Sequence, residues 1–356
     1  MPAPPFPAEP EDAAQFARAL AALPKAELHL HMEGAMAPGT VVELASRYGD
    51  SFDESVVVAC YRSRDFIGFL DAYKWVTSYL RTPGDYALVA ERLCESLLSQ
   101  NIVYAEVTLS VGVMLLRRQD AAANFRAIRA ATLPFESRGL RLQWIFDVVR
   151  QFGAAPAWEV ARLAAAFGDQ SVVAFGMGGD ELALPASEFR SVYEFAAAQA
   201  LHRLVHAGEI GGPESVRDAV ELLGAERIGH GIAAARDLQL VALLAERSIP
   251  LEICPTSNLR TGALARQLGA SEAALAEHPL PQLVRAGVPV NISTDDPAMF
   301  ETHLLGEYLA LSAMGLTSPE IVRLAEAAFR HAFLPAGEKS RLLDLFAQRA
   351  RALGLL

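Results

Sequence analysis

The chain has 356 residues, of which 52% are hydrophobic and 21% are charged, and its formal net charge is −11. This length lies within the range of an α/β barrel with insertions, and the hydrophobic share is enough to fill a large core. The negative charge disfavours non-specific binding to nucleic acid, because such binding needs Lys and Arg side chains to replace the counterions of the phosphates. The composition therefore predicts a globular protein without a nucleic-acid partner.

The N-terminus and the cysteines bear on domain organisation and compartment. The first residues, MPAPPFPAEPEDAA, are rich in proline and acidic, which is the reverse of a secretion signal, so we predict a disordered leader over residues 1–20 and a single domain over residues 21–356. Cys60, Cys94 and Cys254 are odd in number and form no C-x-x-C pair, which disfavours a disulfide framework. No apolar run reaches the length of a membrane span. We expect a soluble cytoplasmic protein that binds no membrane; its oligomeric state is left open.

Short apolar or β-branched runs alternate with longer amphipathic stretches along the chain, as is typical of βα units around a parallel sheet. The runs predicted as strands are Ala26–Leu30, Ile102–Leu109, Leu142–Phe146, Val172–Gly176, Arg203–His206, Arg227–Gly229, Pro250–Cys254 and Val288–Ile292. This is the number of strands that a closed (β/α)8 barrel needs. We therefore predict an α/β protein with the TIM-barrel fold.

A long connection over residues 35–100 separates the first two predicted strands. It contains helical patterns such as DFIGFLDAYKWVTSYL, and we predict a helical lid inserted after the first strand. The apolar side chains of this pattern are Phe66, Phe69, Leu70, Tyr73 and Trp75. Such residues can close over a bound base and exclude water, but aromatic residues at helical spacing more often belong to a core, which is the interpretation that we favour.

The first predicted strand ends in ELHLH, in which His29 and His31 are two positions apart. Side chains two positions apart on a strand point to the same side of the sheet. Because neutral imidazole is a good zinc ligand, the two histidines can bind one ion. A merely polar strand end explains the pattern equally well.

Three other predicted strands also end in polar residues. VHAGE places His206 at a strand end and Glu209 one short turn later, although an acid at that point is also a common helix cap. RIGHG flanks His230 with glycines, which allow close approach of backbone and ligand. NISTDDP places Asp295 and Asp296 after the last strand, where Asp-Asp-Pro is also an ordinary turn sequence.

The joint pattern is more specific than its parts, because a barrel brings the C-terminal ends of its strands to one face. On that face His29, His31, His206 and Asp295 are predicted to meet. Three imidazoles and one carboxylate suit a zinc ion that also holds water and lowers the pKa of that water towards neutrality. We therefore predict one Zn²⁺ per chain and a hydrolytic reaction.

At these residues the chain resembles the adenosine deaminase family. The motifs ELHLHMEGA, VYAEV, VVAFGMGGDE, HAGE, RIGHG, LEICPTSN and STDDP occur in the family's order and extend from residue 24 to about residue 345. The resemblance implies a hydrolytic deaminase that converts a 6-aminopurine nucleoside into the 6-oxo product and ammonia. It also implies that His29, His31, His206 and Asp295 hold the zinc ion.

The resemblance further implies roles for residues around the purine. Glu209 protonates N1 while water attacks C6, and His230 orients that water and helps to take its proton. Asp296 binds N7, the backbone of Gly179 reaches N3, and Glu33 lies near the sugar.

Parts of the chain indicate a bacterial branch of the family. TLSVGVMLLRRQD and WIFDVVRQFG are similar to enzymes that deaminate aminodeoxyfutalosine, an adenosine with a benzoate-containing 5′ extension, in menaquinone biosynthesis. Arg150 is then expected to meet the substrate carboxylate, with an ion pair to Asp147 or another barrel acid as the alternative. Gly229 stands where related adenine deaminases carry Asp, which favours a nucleoside over free adenine.

Other classes of protein fit less well. Another barrel metallohydrolase of the amidohydrolase type is an alternative, but we find no lysine at a middle strand end that could bridge two metal ions. A cytidine-deaminase-like protein needs H-x-E followed by P-C-x-x-C, and only His31-Met32-Glu33 matches the first half. A nucleoside-binding protein without catalysis is disfavoured, because every polar residue expected for catalysis is present.

Overall fold

Eight parallel strands form one sheet whose spatial order is the chain order. The computed structural model describes residues 10–62 and 65–356. The strands are β1 (Lys25–His31), β2 (Ile102–Leu109), β3 (Arg141–Val149), β4 (Val172–Gly178), β5 (His202–Ala207), β6 (Arg227–His230), β7 (Leu251–Ile253) and β8 (Val290–Ile292). The predicted (β/α)8 barrel is confirmed, and each predicted strand is present with its ends shifted by only a few residues.

The barrel closes between β8 and β1 through the backbone of Asp295. The Asp295 N–H donates to the His29 carbonyl at 3.0 Å, and the His31 N–H donates to the Asp295 carbonyl at 2.8 Å. Asp295 has a φ of +66°, a left-handed conformation that costs a non-glycine residue about 1–3 kcal/mol. Closure of the sheet therefore fixes Asp295 beside both histidines of β1.

Helices cover the barrel and fill its connections. The α-helices are α1 (Pro10–Ala22), α2 (Pro38–Arg47), α3 (Glu54–Tyr61), α4 (Phe66–Thr77), α5 (Pro83–Ser99), α6 (Val111–Leu116), α7 (Ala121–Glu136), α8 (Ala154–Ala166), α9 (Arg190–Ala198), α10 (Pro213–Glu221), α11 (Leu238–Glu246), α12 (Pro255–Arg260), α13 (Ala263–Leu268), α14 (Leu280–Arg285), α15 (Leu304–Ala310), α16 (Ser318–His331) and α17 (Ala336–Ala352). Short 3₁₀ helices span Glu33–Ala35, Arg150–Phe152, Gly168–Gln170, Ala186–Phe189, Ile232–Arg236, Leu275–Glu277 and Leu311–Met314. Within the described residues, no helix is both long enough and apolar enough to span a membrane.

The N-terminal segment differs from the predicted leader. Residues 1–9 lie outside the described residues, so disorder remains a prediction there. From residue 10 onwards the expected disorder is not found, because α1 occupies Pro10–Ala22. Leu20 and Leu23 at the end of this helix are fully buried in the main core. Burial of these side chains offsets the entropy cost of ordering the segment.

The predicted insertion between β1 and β2 is helical, as expected, and comprises α2 to α5. Helix α4 begins after Asp65, whose side chain accepts a hydrogen bond from the Gly68 N–H at 2.7 Å and so caps the helix. The ring of Phe69 packs against Phe300, in the segment that follows β8, at 5.1 Å between centroids. Helix α4 is thereby held at the C-terminal end of the barrel.

Candidate active site

A cavity opens at the C-terminal ends of the strands. It contains about 790 Å³ of space free of atoms, including solvent space at its open mouth. Predicted site residues that line it are His31, Gly179, His206, Glu209, His230, Asp295 and Asp296. Their convergence from separate strands is what the barrel fold predicts.

The four predicted zinc ligands meet at this cavity. Nε2 of His29 and Nε2 of His31 each lie 3.3 Å from Oδ1 of Asp295. Nε2 of His31 lies 3.2 Å from Nε2 of His206. Donor atoms that surround a zinc ion as a tetrahedron at its usual bond lengths are about 3.3 Å apart. The spacing of these donors therefore fits one ion of that size.

Two further observations bear on the fit of a metal. Nε2 of His29 is buried and has no hydrogen-bond partner among the described residues, a state that an ion bound to this nitrogen would relieve. Donor atoms of His29, His206, His230 and Asp295 lie within 4.8 Å of one another. His230 is therefore close enough to the candidate metal position to contact a water molecule there.

The charge states of the cluster suit metal binding. Burial lowers the pKa of His31 to about 4 and lowers that of His206 well below its usual value, so both rings are neutral ligands at neutral pH. Burial opposes ionisation of Asp295, but the nearby imidazoles, that of His29 foremost, hold its pKa well below the usual range. Burial also opposes protonation of His29, but the carboxylates of Asp295 and Glu252 raise its pKa to about 10, so this ring must release a proton when it binds an ion. The cluster therefore offers a carboxylate, two neutral imidazoles and a third imidazole that ligates once it is deprotonated.

A buried chain of charges lies behind His29. The Nδ1 of His29 lies 2.7 Å from Oε2 of Glu252, and Nε of Arg227 lies 2.6 Å from the other oxygen of Glu252. Arg227 also pairs with Glu106. Because Glu252 accepts the Nδ1 proton, it directs Nε2 of His29 towards the metal position. Sequence reasoning missed these residues, although a charged residue inside an apolar strand pattern is the signal that would have found them.

The loop that carries Glu209 is held by Glu181. The carboxylate of Glu181 accepts hydrogen bonds from the backbone N–H groups of Glu209 at 3.2 Å, Ile210 at 3.0 Å and Gly211 at 2.8 Å. On the other side, Nε2 of Gln267 donates to the Glu209 carbonyl at 2.8 Å. The last residue of the motif GMGGDE thus orders the loop of the motif HAGE, a link that no local pattern in the sequence indicates.

Glu209 is placed to hold a proton. Burial raises its pKa well above the usual value, and the carboxylates of Asp295 and Glu181 raise it further. Its Oε2 lies 3.7 Å from Nε2 of His230. A carboxyl group that stays neutral near neutral pH can act as a general acid.

A chain of hydrogen bonds fixes the tautomer of His230. The Leu280 N–H donates to Nδ1 of His278 at 3.1 Å, so the other ring nitrogen of His278 carries the proton. That nitrogen faces Oδ1 of Asn258 at 3.3 Å, and Nδ2 of Asn258 in turn lies 3.0 Å from Nδ1 of His230. Because Asn258 donates to Nδ1, neutral His230 carries its proton on Nε2, the nitrogen that faces the cavity.

The predicted purine contacts Asp296 and Gly179 both line the cavity. Burial raises the pKa of Asp296 well above its usual value, and its Oδ1 has no hydrogen-bond partner among the described residues. A Cβ atom at Gly34 would lie 1.7 Å from that oxygen, so glycine is required there. Gly179 has a φ of +89°, and a Cβ atom on it would lie 2.5 Å from Oε1 of Gln151.

Glu33, predicted to lie near the sugar, is not part of the cavity lining. It is buried, and its Oε1 accepts a hydrogen bond from the Ser110 N–H at 3.0 Å. Its Oε2 accepts one from the Tyr73 hydroxyl at 3.3 Å. Ser110 and Tyr73, the two residues that contact Glu33, do line the cavity.

Arg150 differs from both interpretations of it. It is buried and outside the cavity lining, and it donates to the backbone carbonyls of Leu184 at 3.3 Å and His206 at 3.4 Å. Among the described residues it forms no ion pair with Asp147 or another acid. These two hydrogen bonds join its guanidinium to the backbone around β5.

Helix α4 supplies one side of the cavity. Phe66, Phe69, Leu70 and Tyr73 line it, whereas Trp75 packs against Phe52 at 5.3 Å between ring centroids. Phe66, Phe69, Tyr73 and Trp75 all pack against the main core, as the favoured interpretation expects, but the first three also line the cavity. Core and cavity faces of such a helix have the same periodicity, so the pattern alone could not separate them.

Comparison with known proteins shows which family the chain belongs to. The sequence profile of the adenosine deaminase family matches residues 24–349. The chain belongs to this family. An aminodeoxyfutalosine deaminase of Streptomyces coelicolor is 40% identical over 332 residues, which are 91% of this chain and 84% of that one. An adenine deaminase of Rhizobium meliloti is 34% identical over 329 residues, which are 90% and 97% of the two chains.

A solved structure agrees with the fold. The crystal structure of an adenine deaminase from Arthrobacter aurescens matches with a TM-score of 0.86 and 29% identity, covering 93% of this chain and 100% of that one. The predicted family, barrel fold and deaminase class of enzyme are confirmed. The roles of individual residues and the choice of substrate remain proposals.

Proposed function

We propose that the protein removes the 6-amino group of a purine nucleoside by metal-dependent hydrolysis and releases ammonia. The observation that carries this proposal is the meeting of four metal-type donors with a buried, protonated acid, Glu209, in one cavity. Hydrolytic deamination of a purine needs water at C6 and a proton at a ring nitrogen, and these groups supply both needs.

His29, His31, His206 and Asp295 would hold one Zn²⁺ per chain. When bound, the ion lowers the pKa of water so that hydroxide is available near neutral pH. The chain's own contribution is to keep the imidazoles of His31 and His206 neutral and to fix the direction of His29 through Glu252.

The remaining residues act on the purine and the attacking water. Glu209 donates its proton to N1, which lets the ring accept the electron pair as C6 becomes tetrahedral. His230, with its proton on Nε2, donates a hydrogen bond to the attacking water and so orients it; the tautomer favours this role over uptake of a proton. Protonated Asp296 donates to N7, and the Gly179 N–H donates to N3.

Within this function we propose aminodeoxyfutalosine as the preferred substrate. A curated enzyme with that activity is 40% identical to this chain. The cavity wall on α4 is apolar, and Lys74 is the one Lys or Arg among the described residues that line the cavity. Its side chain is 67% exposed and lies 3.0 Å from Asp71 on the same helix. An aromatic acid attached at the 5′ position would pack on that wall with its carboxylate near Lys74.

Free adenine is the second candidate, since the relatives also include adenine deaminases. Gly229 favours a nucleoside instead. A Cβ atom at this position would lie 2.7 Å from Cε1 of His29, so the Asp of adenine deaminases would require the His29 ring to move.

Ammonia release from a panel of substrates tests the proposal. The panel contains aminodeoxyfutalosine, adenosine, 2′-deoxyadenosine and adenine, assayed with metal-free and zinc-reloaded protein. We expect turnover only after reloading, with the highest kcat/KM for aminodeoxyfutalosine. Turnover of adenine above every nucleoside would refute the substrate class, and equal turnover without metal would refute the mechanism.

A further inference from the structure

The sugar of a purine nucleoside needs hydrogen-bonding partners in the cavity wall, and Glu33 is not free to be one. Its two carboxylate oxygens already accept hydrogen bonds from the Ser110 N–H and the Tyr73 hydroxyl. It is 2% exposed and does not line the cavity. A different carboxyl group, that of Asp147 on β3, does line it.

Within the described part of the chain, Asp147 is buried with one carboxyl oxygen unpartnered, although a hydrogen bond from the Gly178 backbone stabilises its charged form. Only 4% of the residue is exposed, and its Oδ1 has no hydrogen-bond partner among the described residues. The described residues also place no ion pair on it. A buried carboxyl oxygen without a hydrogen-bond partner is costly, so a carboxyl group that lines a ligand cavity in this state calls for a partner on the ligand.

The neighbouring strand is shaped to admit this side chain. Asp147 pairs with Gly176 in the register of β3 and β4. A Cβ atom at Gly176 would lie 2.9 Å from Oδ1 of Asp147, and one at Gly178 would lie 3.3 Å from Oδ2. The alternating glycines of the sequence FGMG therefore leave a slot in which the carboxyl group lies against the β4 backbone.

The chemistry of this carboxyl group matches a hydroxyl group. Burial raises the pKa of Asp147 well above its usual value, and the charge of Glu33 raises it further, so the neutral acid is favoured. A neutral carboxyl group both donates and accepts hydrogen bonds, as does a sugar hydroxyl.

Its place beside β4 also suits the sugar. Under the proposed function, Gly179 binds N3, which shares the carbon atom C4 with N9, the nitrogen that bears the sugar. Gly179 directly follows Gly178, which borders the Asp147 carboxyl group. The sugar of a purine bound in this way lies next to Asp147.

We propose that Asp147 is a substrate-binding residue whose carboxyl group hydrogen-bonds a hydroxyl group of the nucleoside sugar. Glu33 then acts as a positioning residue that orients Ser110 and Tyr73. The assignment rests on the proposed function, because it takes the purine orientation from that proposal.

Calorimetric binding of purine riboside, which lacks the 6-amino group, and of its 2′-deoxy and 3′-deoxy analogues tests the proposal without turnover. In the unsubstituted protein, loss of the contacted hydroxyl should weaken binding about two- to tenfold, the usual effect of one neutral hydrogen bond. In Asp147→Ala, binding of the riboside should weaken by a similar factor, and its advantage over that deoxy analogue should disappear. The near-isosteric Asp147→Asn should retain part of the advantage.

Glu33→Gln is the matched control, and it should weaken all three ligands by the same factor. The assignment is overturned if Asp147→Ala keeps the full preference for the hydroxyl, or if Glu33→Gln abolishes that preference in its place. Failure of the proposed function gives a different result: no nucleoside releases ammonia. The unsubstituted protein would then still prefer the riboside to its deoxy analogue, and Asp147→Ala would still lack that preference.

Discussion

Replacement of Glu252 by Gln tests how the barrel interior controls the metal. The carboxylate of Glu252 lies 2.7 Å from Nδ1 of His29, and both side chains are completely buried. A hydrogen bond to a charged group contributes about 1.5–3 kcal/mol and a neutral one about 0.5–1.5 kcal/mol. Glu252→Gln therefore weakens the hydrogen bond that orients His29 by about 1–1.5 kcal/mol, so zinc should bind roughly tenfold more weakly. This factor is at the lower end of the effects known for residues that hydrogen-bond a metal ligand.

The substitution also removes one of the two acids that neutralise Arg227. Breaking a buried ion pair costs about 3–5 kcal/mol, so the free energy of unfolding should fall as well. Glu106→Gln is the matched control, because it breaks the other pair of Arg227 and leaves the contact between Glu252 and His29 intact. We expect both variants to lose stability and only Glu252→Gln to lose zinc affinity.

The assay is competition for zinc between metal-free protein and a chromogenic chelator at one pH, combined with thermal unfolding of the same metal-free samples. If the two variants bind zinc with equal affinity, the change in affinity follows from lost stability, and the inferred role of Glu252 is wrong.

Three further substitutions probe the cavity. Glu209→Gln should keep zinc binding but lower kcat by at least about 100-fold, and full turnover in this variant would exclude the acid role. Because burial raises the pKa of this acid, kcat/KM of the unsubstituted enzyme should be full below that pKa and fall as pH rises through it. Gly34→Ala puts a Cβ atom 1.7 Å from Oδ1 of Asp296 and should raise KM about tenfold with zinc retained, whereas Gly168→Ala, where nothing lies within 4 Å, should match the parent. Lys74→Gln should reduce the preference for aminodeoxyfutalosine over its methyl ester about two- to fivefold, as befits an exposed charge; an unchanged ratio of kcat/KM would remove Lys74 from substrate recognition.

The sequence reveals the fold because its signals are local and periodic. Each βα unit has its own apolar strand and amphipathic helix, so eight strands can be recognised without knowledge of their neighbours. Strand ends were less certain, and α1 was missed because Pro10 and its acidic neighbours resemble a disordered leader. Burial of Leu20 in the main core, which is a tertiary effect, decides that segment.

By itself, the sequence indicated which candidate metal ligands meet at the cavity, because each of them lies at or just after the end of a strand and a closed barrel brings strand ends together. Only the tertiary structure decided which other buried groups face the cavity. Arg150 donates to backbone carbonyls, and Glu33 accepts hydrogen bonds from Ser110 and Tyr73. Asp147 forms part of the cavity wall, next to Gly176 of the neighbouring strand. These outcomes depend on register between neighbouring strands and on contacts between distant motifs, which no local pattern of residues records.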